Sequence, residues 1–122
     1  MSDQTALLSR VESADEVEIE TRRGTGEARR TIIWIVADGG RIYVRSVRGP
    51  GGKWYRRLRA TPEGVLHVAG TRTPFRAVPV SDAAEIERVS AALRRKYAGH
   101  GSSLTNMLRP ETLPTTLRLE PA

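Results

Sequence analysis

The stretch of the sequence best suited to chemistry is YVRSVRGPGGKWYRRL, residues 43–58. A glycine-rich turn at residues 49–52 lies in its middle, followed by the aromatic pair Trp54 and Tyr55. Guanidinium groups bind phosphate through paired hydrogen bonds, and glycines let backbone N–H groups approach an anion. The stretch therefore predicts an anion site, and the alternative is a solvated surface loop. It contains no acid and five cations, which are Arg45, Arg48, Lys53, Arg56 and Arg57.

The charge balance of the whole chain leaves two explanations open. The net charge is +6, and eighteen of the twenty basic residues are arginine. An anionic partner would favour this composition, but so would the arginine bias of GC-rich bacterial genomes. We do not expect a nucleic acid as the partner, because no predicted helix has a clear recognition face. Aromatic residues, at 5%, are also too few for a base-stacking platform.

Several classes of catalytic site are excluded or not supported by the residue types. The absence of cysteine excludes disulfides, thiolate catalysis and cysteine metal sites. The two histidines, His67 and His100, lie far apart and have no metal-ligand or serine-triad spacing around them. The glycine turn is not a phosphate loop, because Val47 occupies the place of its leading glycine and Trp54 that of its Ser or Thr. An enzyme built from this chain would therefore need a bound cofactor for its chemistry, and we predict neither a catalytic residue nor a metal site.

The first half of the chain predicts a short helix followed by strands. Apolar spacing favours a helix over residues 5–14, and alternation over residues 16–21 favours a strand with an acidic outer face. The apolar run TIIWIVA, residues 31–37, predicts one strand that is buried on both faces. Asp38-Gly39-Gly40 is a hairpin signal, and residues 41–47 form the next predicted strand.

The second half predicts two helices and three strands. Residues 53–60 favour a short helix, and residues 64–70 and 73–80 favour two strands joined by a turn at 70–72. Pro74 and Pro79 place the second of these strands at an edge of the sheet. Asp82 and Glu85 predict the start of a longer helix, whose buried face would carry Ile86, Val89, Leu93 and Tyr97. A loop is expected near residues 99–110, and a last strand over 115–120.

These elements predict an α+β fold around a small antiparallel barrel of about six strands, with a short N-terminal helix, a short middle helix and one longer late helix. The length fits a single domain over residues 1–122. No apolar run is long enough to cross a membrane, and the first residues lack the features of a signal peptide, so we expect a cytoplasmic protein.

The order of these segments resembles the flavin-binding split-barrel superfamily. RRTIIWIV, a hairpin, and then IYVRSVRGPGGKWYRRLRATP carry the likeness, which is greatest to a small bacterial family of unknown function over about residues 15–120. The superfamily includes proteins like pyridoxamine-phosphate oxidase and the deazaflavin-dependent nitroreductases. The nitroreductase pattern has counterparts here in residues 23–26, in Arg29-Arg30-Thr31, in Ser46, in residues 49–52 and in Trp54-Tyr55.

The resemblance implies a split barrel that forms a homodimer and binds FMN or the deazaflavin coenzyme at the subunit interface. It implies a flavin- or deazaflavin-binding protein that acts as an oxidoreductase on an unknown substrate. The alternatives are a non-catalytic ligand-binding module of the same fold and, less favoured, a nucleic-acid-binding protein. The implied contacts are Arg29, Arg30 and Lys53 at the phosphate, Thr31, Arg45, Ser46 and Val47 beside the ring, Arg48 at the end of that strand, where its bulk could fill the ring pocket, and Trp54 and Tyr55 as the cover of the ring. A homodimer would also bury the second apolar face of TIIWIVA.

Overall fold

The computed structural model describes residues 3–24 and 26–122. The helices are α1 (Asp3–Ser13), α2 (Lys53–Ala60), α3 (Ala83–Lys96) and α4 (Ser102–Met107). The strands are β1 (Val17–Arg22), β2 (Ala28–Ile33), β3 (Val36–Asp38), β4 (Arg41–Val44), β5 (Glu63–Val68), β6 (Thr71–Pro79) and β7 (Leu117–Pro121). Short 3₁₀ turns cover Gly49–Gly51, Ala98–His100 and Pro110–Thr115.

The described strands form one antiparallel sheet in the order β2-β1-β5-β6-β7-β4-β3. Ile33 of β2 and Ile42 of β4 come from opposite ends of this order but belong to the same apolar core. The sheet must therefore curl around that core, which also holds the inner faces of α1 and α2. The predicted α+β antiparallel barrel is confirmed, with seven strands in place of about six.

The faces of β1 agree with its alternating sequence except at one residue. Val17, Ile19 and Thr21 are buried on the inner face as predicted. The outer face is less open than predicted, because Glu20 is only 8% exposed. The reason is the neighbouring strand β5, where the ring of His67 binds the Glu20 carboxylate.

The apolar run TIIWIVA does not form one doubly buried strand, so that prediction is wrong. The strand stops after Ile33 and restarts at Val36, and Ile32 remains 62% exposed. The backbone N–H and carbonyl of Ile35 form hydrogen bonds with residues at the end of α3 instead of with a neighbouring strand. Its N–H donates to the Tyr97 hydroxyl (3.2 Å), and its carbonyl accepts from Lys96 Nζ (2.7 Å).

Helix α3 covers the outer face of β3 and β4 and creates a second apolar cluster. Val36 and Tyr43 pack there against the predicted buried face of α3, whose residues Val89, Leu93 and Tyr97 are buried. The helix begins as predicted, because the Asp82 carboxylate accepts the N–H of Glu85 at 2.9 Å. The predicted hairpin at Asp38–Gly40 is also confirmed, with positive φ at both glycines.

Three predictions for the second half are wrong. β6 is a central strand between β5 and β7, although Pro74 and Pro79 suggested an edge. The backbone of Pro74 faces β7 at a point where that strand has already ended, since the carbonyl of Pro74 accepts from the N–H of Ala122. Pro79 lies beyond the last residue of β6 that pairs with β5. Neither proline therefore interrupts a ladder. The loop expected at residues 99–110 contains α4, and the turn between β5 and β6 uses Ala69 and Gly70.

Candidate functional site

The glycine-rich turn takes its shape from Ser46, which is 1% exposed. The Ser46 hydroxyl donates to the Gly49 carbonyl (2.8 Å), and a Cβ at Gly52 would collide with that hydroxyl. Gly49 has φ +71°, which disfavours other residues. The N–H groups of Gly49 and Gly52 donate to carbonyls inside the turn. These glycines therefore have a structural role, and those two N–H groups are not available to an anion.

The aromatic pair after the turn anchors α2 to the protein core. Trp54 is 7% exposed and Tyr55 is 6% exposed, and both belong to the cluster inside the curled sheet. The resemblance implied that they cover a ring. Their burial instead assigns them to fixing the position and rotation of α2, so we leave them out of the candidate site.

With this anchoring, α2 presents basic side chains on its open side. Lys53 is exposed, and Arg57, one helical turn later, is partly buried. Residues four apart lie on one helix face, so these two cations are neighbours. Arg57 Nε donates to the Thr21 hydroxyl of β1 at 2.8 Å, which fixes the guanidinium beside the β1–β2 hairpin.

Two arginines of that hairpin lie near Arg57. Burial first, and then the charges of Arg29 and Arg23, lower the pKa of Arg57 below its ordinary value. Arg29 is paired with Thr21 in the β1–β2 register, on the face that Arg57 contacts. Among the described residues, neither Arg23 nor Arg57 has a carboxylate within ion-pair distance, and Arg29 has only the exposed Glu27 at 3.7 Å. We call Arg23, Arg29 and Arg57 the cationic cluster.

The neighbouring candidate Arg30 points to the opposite face of the sheet. Its guanidinium lies 3.6 Å from Glu18 and 3.8 Å from Glu20, so it is already paired with acids. Thr31 shares the inner face with Arg29 and is half-buried opposite Ile19. The pair Arg29-Arg30 is thus divided between two surfaces, because successive side chains alternate along a strand.

Arg45 lies in the interior, where the structure gives it a role that the sequence did not suggest. It is 2% exposed, and its three nitrogens donate to the Thr116 hydroxyl, the Ser90 hydroxyl and the Ile86 carbonyl. Burial lowers the pKa of Arg45 to about 10, so the group is still cationic at neutral pH. Helix α3 covers this face of the sheet, and for that reason Arg45 joins helix to strand.

The last two candidates lie at the surface beside the turn. Val47 is 40% exposed, and its carbonyl accepts from Arg109 Nη2 at 3.0 Å. Arg48 is exposed immediately before Gly49. Of the predicted phosphate contacts, the structure therefore places Lys53 and Arg29 on the side of the cationic cluster and separates Arg30 from them.

The resemblance implied no contact for Arg23 or Arg57, although Arg57 is one of the five cations of the predicted anion site and Arg23 begins the loop at residues 23–26. Arg57 could have been found from its position four residues after Lys53 on a predicted helix. Arg23 belongs to the basic loop, whose proximity to α2 depends on tertiary packing. Within residues 3–24 and 26–122, no group of three or more His, Asp or Glu side chains is arranged to hold a metal ion.

Solved structures share this fold at low sequence identity. A putative pyridoxamine 5'-phosphate oxidase from Listeria innocua aligns over 99% of this chain and 93% of its own, with TM-score 0.66 and 12% identity. An F420-H2 dependent reductase, FDR-A, aligns over 87% of this chain and 94% of its own, with TM-score 0.66 and 17% identity. HutZ, a heme storage protein from Vibrio cholerae, aligns over 100% of this chain and 92% of its own, with TM-score 0.69 and 12% identity.

One further structure, with TM-score 0.67 and 16% identity, aligns over 97% of this chain and 95% of its own and is described as a domain-swapped dimer. Likenesses at these identities show the fold and not the ligand. No curated protein sequence matches the chain. In the part of the chain that the structure describes, no helix is long and apolar enough to cross a membrane. A family model matches residues 7–119, nearly the whole chain, which therefore belongs to the family described as "Uncharacterized protein conserved in bacteria (DUF2255)".

Proposed function

We propose that this protein is a homodimeric oxidoreductase that binds a phosphate-bearing flavin-type cofactor, FMN or the deazaflavin coenzyme, at the cationic cluster. One observation carries the proposal. Arg57 is fixed on Thr21, the residue that pairs with Arg29 in the β1–β2 register, and the described residues place no carboxylate against Arg23 or Arg57. Burial, followed by the charges of Arg29 and Arg23, lowers the pKa of Arg57. Like charges brought together raise the free energy of the folded state, and a bound phosphate would lower it.

The donor set fits a phosphate group. Guanidinium groups donate paired hydrogen bonds that match phosphate oxygens, and Lys53 adds an exposed ammonium group on the same face of α2 as Arg57. Thr21 holds Arg57 in place through its hydroxyl, so part of the site is formed before a ligand arrives. When bound, a flavin-type cofactor would supply hydride transfer. The residues of this chain would bind and orient its phosphate end.

The similar structures support this choice without deciding the ligand. Two are named for redox enzymes, an oxidase and a reductase, and one is named for heme storage. A ligand-binding module without catalysis is therefore the alternative function. The distinction is kinetic, because an oxidoreductase would reoxidise or reduce its bound cofactor when an acceptor or donor is added, and a module would not.

The first prediction tests the cationic cluster. Purified protein is titrated with FMN and with the deazaflavin coenzyme, and the quenching of cofactor fluorescence is measured. Arg29→Gln should weaken binding by about ten- to a hundredfold, the usual effect of losing one charge-assisted contact. Arg30→Gln is the matched control, because Arg30 is adjacent to Arg29 in sequence but faces the other surface. The affinity of this variant for either cofactor should equal that of the wild type.

Two results would count against the proposal. Failure of the wild type to bind either cofactor would reject a flavin-type function. Equal losses in Arg29→Gln and Arg30→Gln would show that the site is on neither face alone, or that only the overall charge matters. A comparison at low and high salt separates these cases, because an effect of overall charge is screened much more strongly than a contact.

The second prediction concerns the homodimer. The apolar run TIIWIVA supports it less than expected, because α3 covers most of the outer apolar positions of the run and leaves Ile32 exposed. Stronger support comes from the similar structure that forms a domain-swapped dimer and from the superfamily resemblance. Sedimentation of the protein at micromolar concentration should show a dimer, and a stable monomer would contradict the assembly that we propose.

A further inference from the structure

A second surface with its own chemistry lies on the outer face of β2, β1, β5 and β6. A groove of about 690 Å³ is open there. The strand register places four of its side chains in one row across the sheet, because Ile32 pairs with Glu18, Glu18 with His67, and His67 with Arg72. This groove and the cationic cluster are on opposite faces of the β1–β2 hairpin, so a ligand in the groove would bind independently of the proposed cofactor.

His67 is held in one orientation at the floor of the groove. Its Nε2 lies 2.8 Å from Glu20 Oε1, and the two side chains are only 15% and 10% exposed. The hydrogen bond with His67 is the largest influence that lowers the pKa of Glu20, which keeps this carboxyl anionic at neutral pH. A carboxylate only accepts, so in the neutral ring Nε2 carries the proton and Nδ1 is a hydrogen-bond acceptor.

The acceptor nitrogen of His67 has no hydrogen-bond partner among the described residues. Every buried side-chain nitrogen and oxygen among the described residues has a hydrogen-bond partner. Nδ1 has no such partner in the same part of the chain, where the ring bonds only to Glu20. The nitrogen is therefore not fully buried, and His67 is one of the residues that line the groove. A donor group of a ligand could reach it there.

The groove also holds one charge of each sign that is not paired within the described chain. Arg30 is neutralised by Glu18 and Glu20. Glu16 and Arg72 are exposed, line the same groove and have no opposite charge within ion-pair distance among the residues that the structure describes. At longer range the charge of Arg72 also acts on the Glu20 carboxylate and helps to lower the pKa of Glu20, after the larger effect of His67. Ile32 adds an apolar wall to the groove. Among the described residues, it is one of only two large apolar side chains that are exposed. A ligand that satisfies all four features must be zwitterionic and partly apolar.

We propose that this groove binds a small aliphatic zwitterion, of the class of the aliphatic α-amino acids. Its carboxylate binds Arg72, its ammonium group donates to Nδ1 of His67 and lies near Glu16, and its side chain packs on Ile32. Neighbouring strands are about 4.8 Å apart, so the row from Ile32 to Arg72 spans about 14 Å between backbones. In this order His67 lies between Ile32 and Arg72, so the ammonium group is placed between the apolar end and the carboxylate of the ligand.

The test uses ligands that differ by one charge. Leucine, 4-methylpentanoate, which lacks the ammonium group, and leucinamide, which lacks the carboxylate, are each titrated into the ¹⁵N-labelled protein, with chemical shifts as the readout. Leucine should bind most tightly of the three and should shift the signals of the His67 ring. Arg72→Gln should weaken the binding of leucine by about ten- to a hundredfold and leave the affinity for leucinamide unchanged. Arg76→Gln is the control, because Arg76 lies further along β6 and pairs with Glu63 outside the groove.

Three outcomes would overturn the proposal. One is that leucine binds no more tightly than its two analogues, because the two unpaired charges would then have no role. Another is that Arg72→Gln weakens leucine and leucinamide equally, since the carboxylate would not be the group recognised. The third is that Ile32→Thr converts a dimer into a monomer while the wild-type groove binds no leucine, which would show that a second copy of the chain occupies this face.

Discussion

Arg45 is a buried cation with only neutral hydrogen-bond partners. Its nitrogens bind two hydroxyl groups and one carbonyl, and no carboxylate lies within ion-pair distance of it among the described residues. A buried charge without an ion-pair partner contributes little net stability, because its desolvation opposes its hydrogen bonds. Its side-chain volume, in contrast, fills the space between β4 and α3. Arg45 could therefore stabilise the protein through the volume of its side chain or through its charge.

The third prediction separates these two contributions. Arg45→Met keeps most of the volume and removes the charge, so the free energy of unfolding should change by less than about 1.5 kcal/mol. Arg45→Ala leaves a cavity and should cost about 2–5 kcal/mol. Urea denaturation measures both. Equal losses would show that the charge matters more than the volume, and a loss of cofactor binding in Arg45→Met, with stability retained, would restore Arg45 to the binding site.

Glu85 is the acid on which three side chains converge. Its carboxylate accepts from the Tyr43 hydroxyl at 2.5 Å and from Arg118 at 3.0 Å, and Arg41 lies 3.7 Å away. The hydrogen bond from Tyr43, followed by that from Arg118, holds the pKa of Glu85 below its ordinary value of 4.5. Folding thus favours the anionic form of Glu85. The stability that this form contributes is fully present only when the pH is above the pKa that the group has in the unfolded chain.

The fourth prediction follows from the sign of this shift. A carboxyl group with a lowered folded-state pKa stabilises the protein fully above about pH 4.5, and this contribution is lost as the pH falls through the folded pKa. Glu85→Gln should lower stability at pH 7 and flatten its decline between about pH 5 and 3. Glu87→Gln is a suitable control because Glu87 lies exposed on the same helix. An unchanged pH profile in Glu85→Gln would mean that other carboxyl groups cause the acid unfolding.

At the scale of the element, the interruption between β2 and β3 is held by the end of α3. The Tyr97 hydroxyl accepts the N–H of Ile35 and lies 2.7 Å from the carbonyl of Asp15, to which it donates. Tyr97 is fully buried, and burial raises the pKa of its hydroxyl to about 12. Removing this hydroxyl would leave the buried N–H of Ile35 without its partner and would remove a hydrogen bond from the carbonyl of Asp15.

The fifth prediction compares two tyrosines. Tyr97→Phe should lower the free energy of unfolding by about 1–3 kcal/mol, because buried polar groups lose their partners. Tyr55→Phe deletes the same group from α2, where Arg59 is the only hydrogen-bond partner of the hydroxyl among the described residues, so little change is expected. Thermal unfolding followed by circular dichroism measures both. Similar losses in the two variants would show that the interruption does not depend on the Tyr97 hydroxyl.

The elements that the sequence predicts correctly are those whose signals are local. The hairpin at Asp38–Gly40, the cap at Asp82 and the helix after the glycine turn each depend on residues within a few positions of one another. The interruption in TIIWIVA depends on Tyr97, which is 62 residues away from Ile35. An apolar run carries no mark of such a partner, so the sequence predicted one continuous strand.

At the scale of the whole molecule, the same limit applies to the candidate site. The sequence located the basic residues but not their faces, because the curl of the sheet and the position of α2 decide which of them meet. Arg29 and Arg30 are adjacent in sequence and lie on opposite surfaces, whereas Arg29 and Arg57 are far apart in sequence and share one. The resemblance to the split-barrel superfamily supplied the barrel correctly, since it reflects the order of all the elements together.

The bonds around Ile35 also have a consequence for how the chain folds. Lys96 reaches the carbonyls of Val11 and Ile35, which are 85 and 61 residues away, and Tyr97 reaches Asp15, which is 82 residues away. Contacts this distant close large loops, and their entropy cost slows their formation. The hairpins β1–β2 and β5–β6 need only short loops. We therefore expect these hairpins to form early and the junction of α1, Ile35 and α3 to close last, as the step that completes the native state.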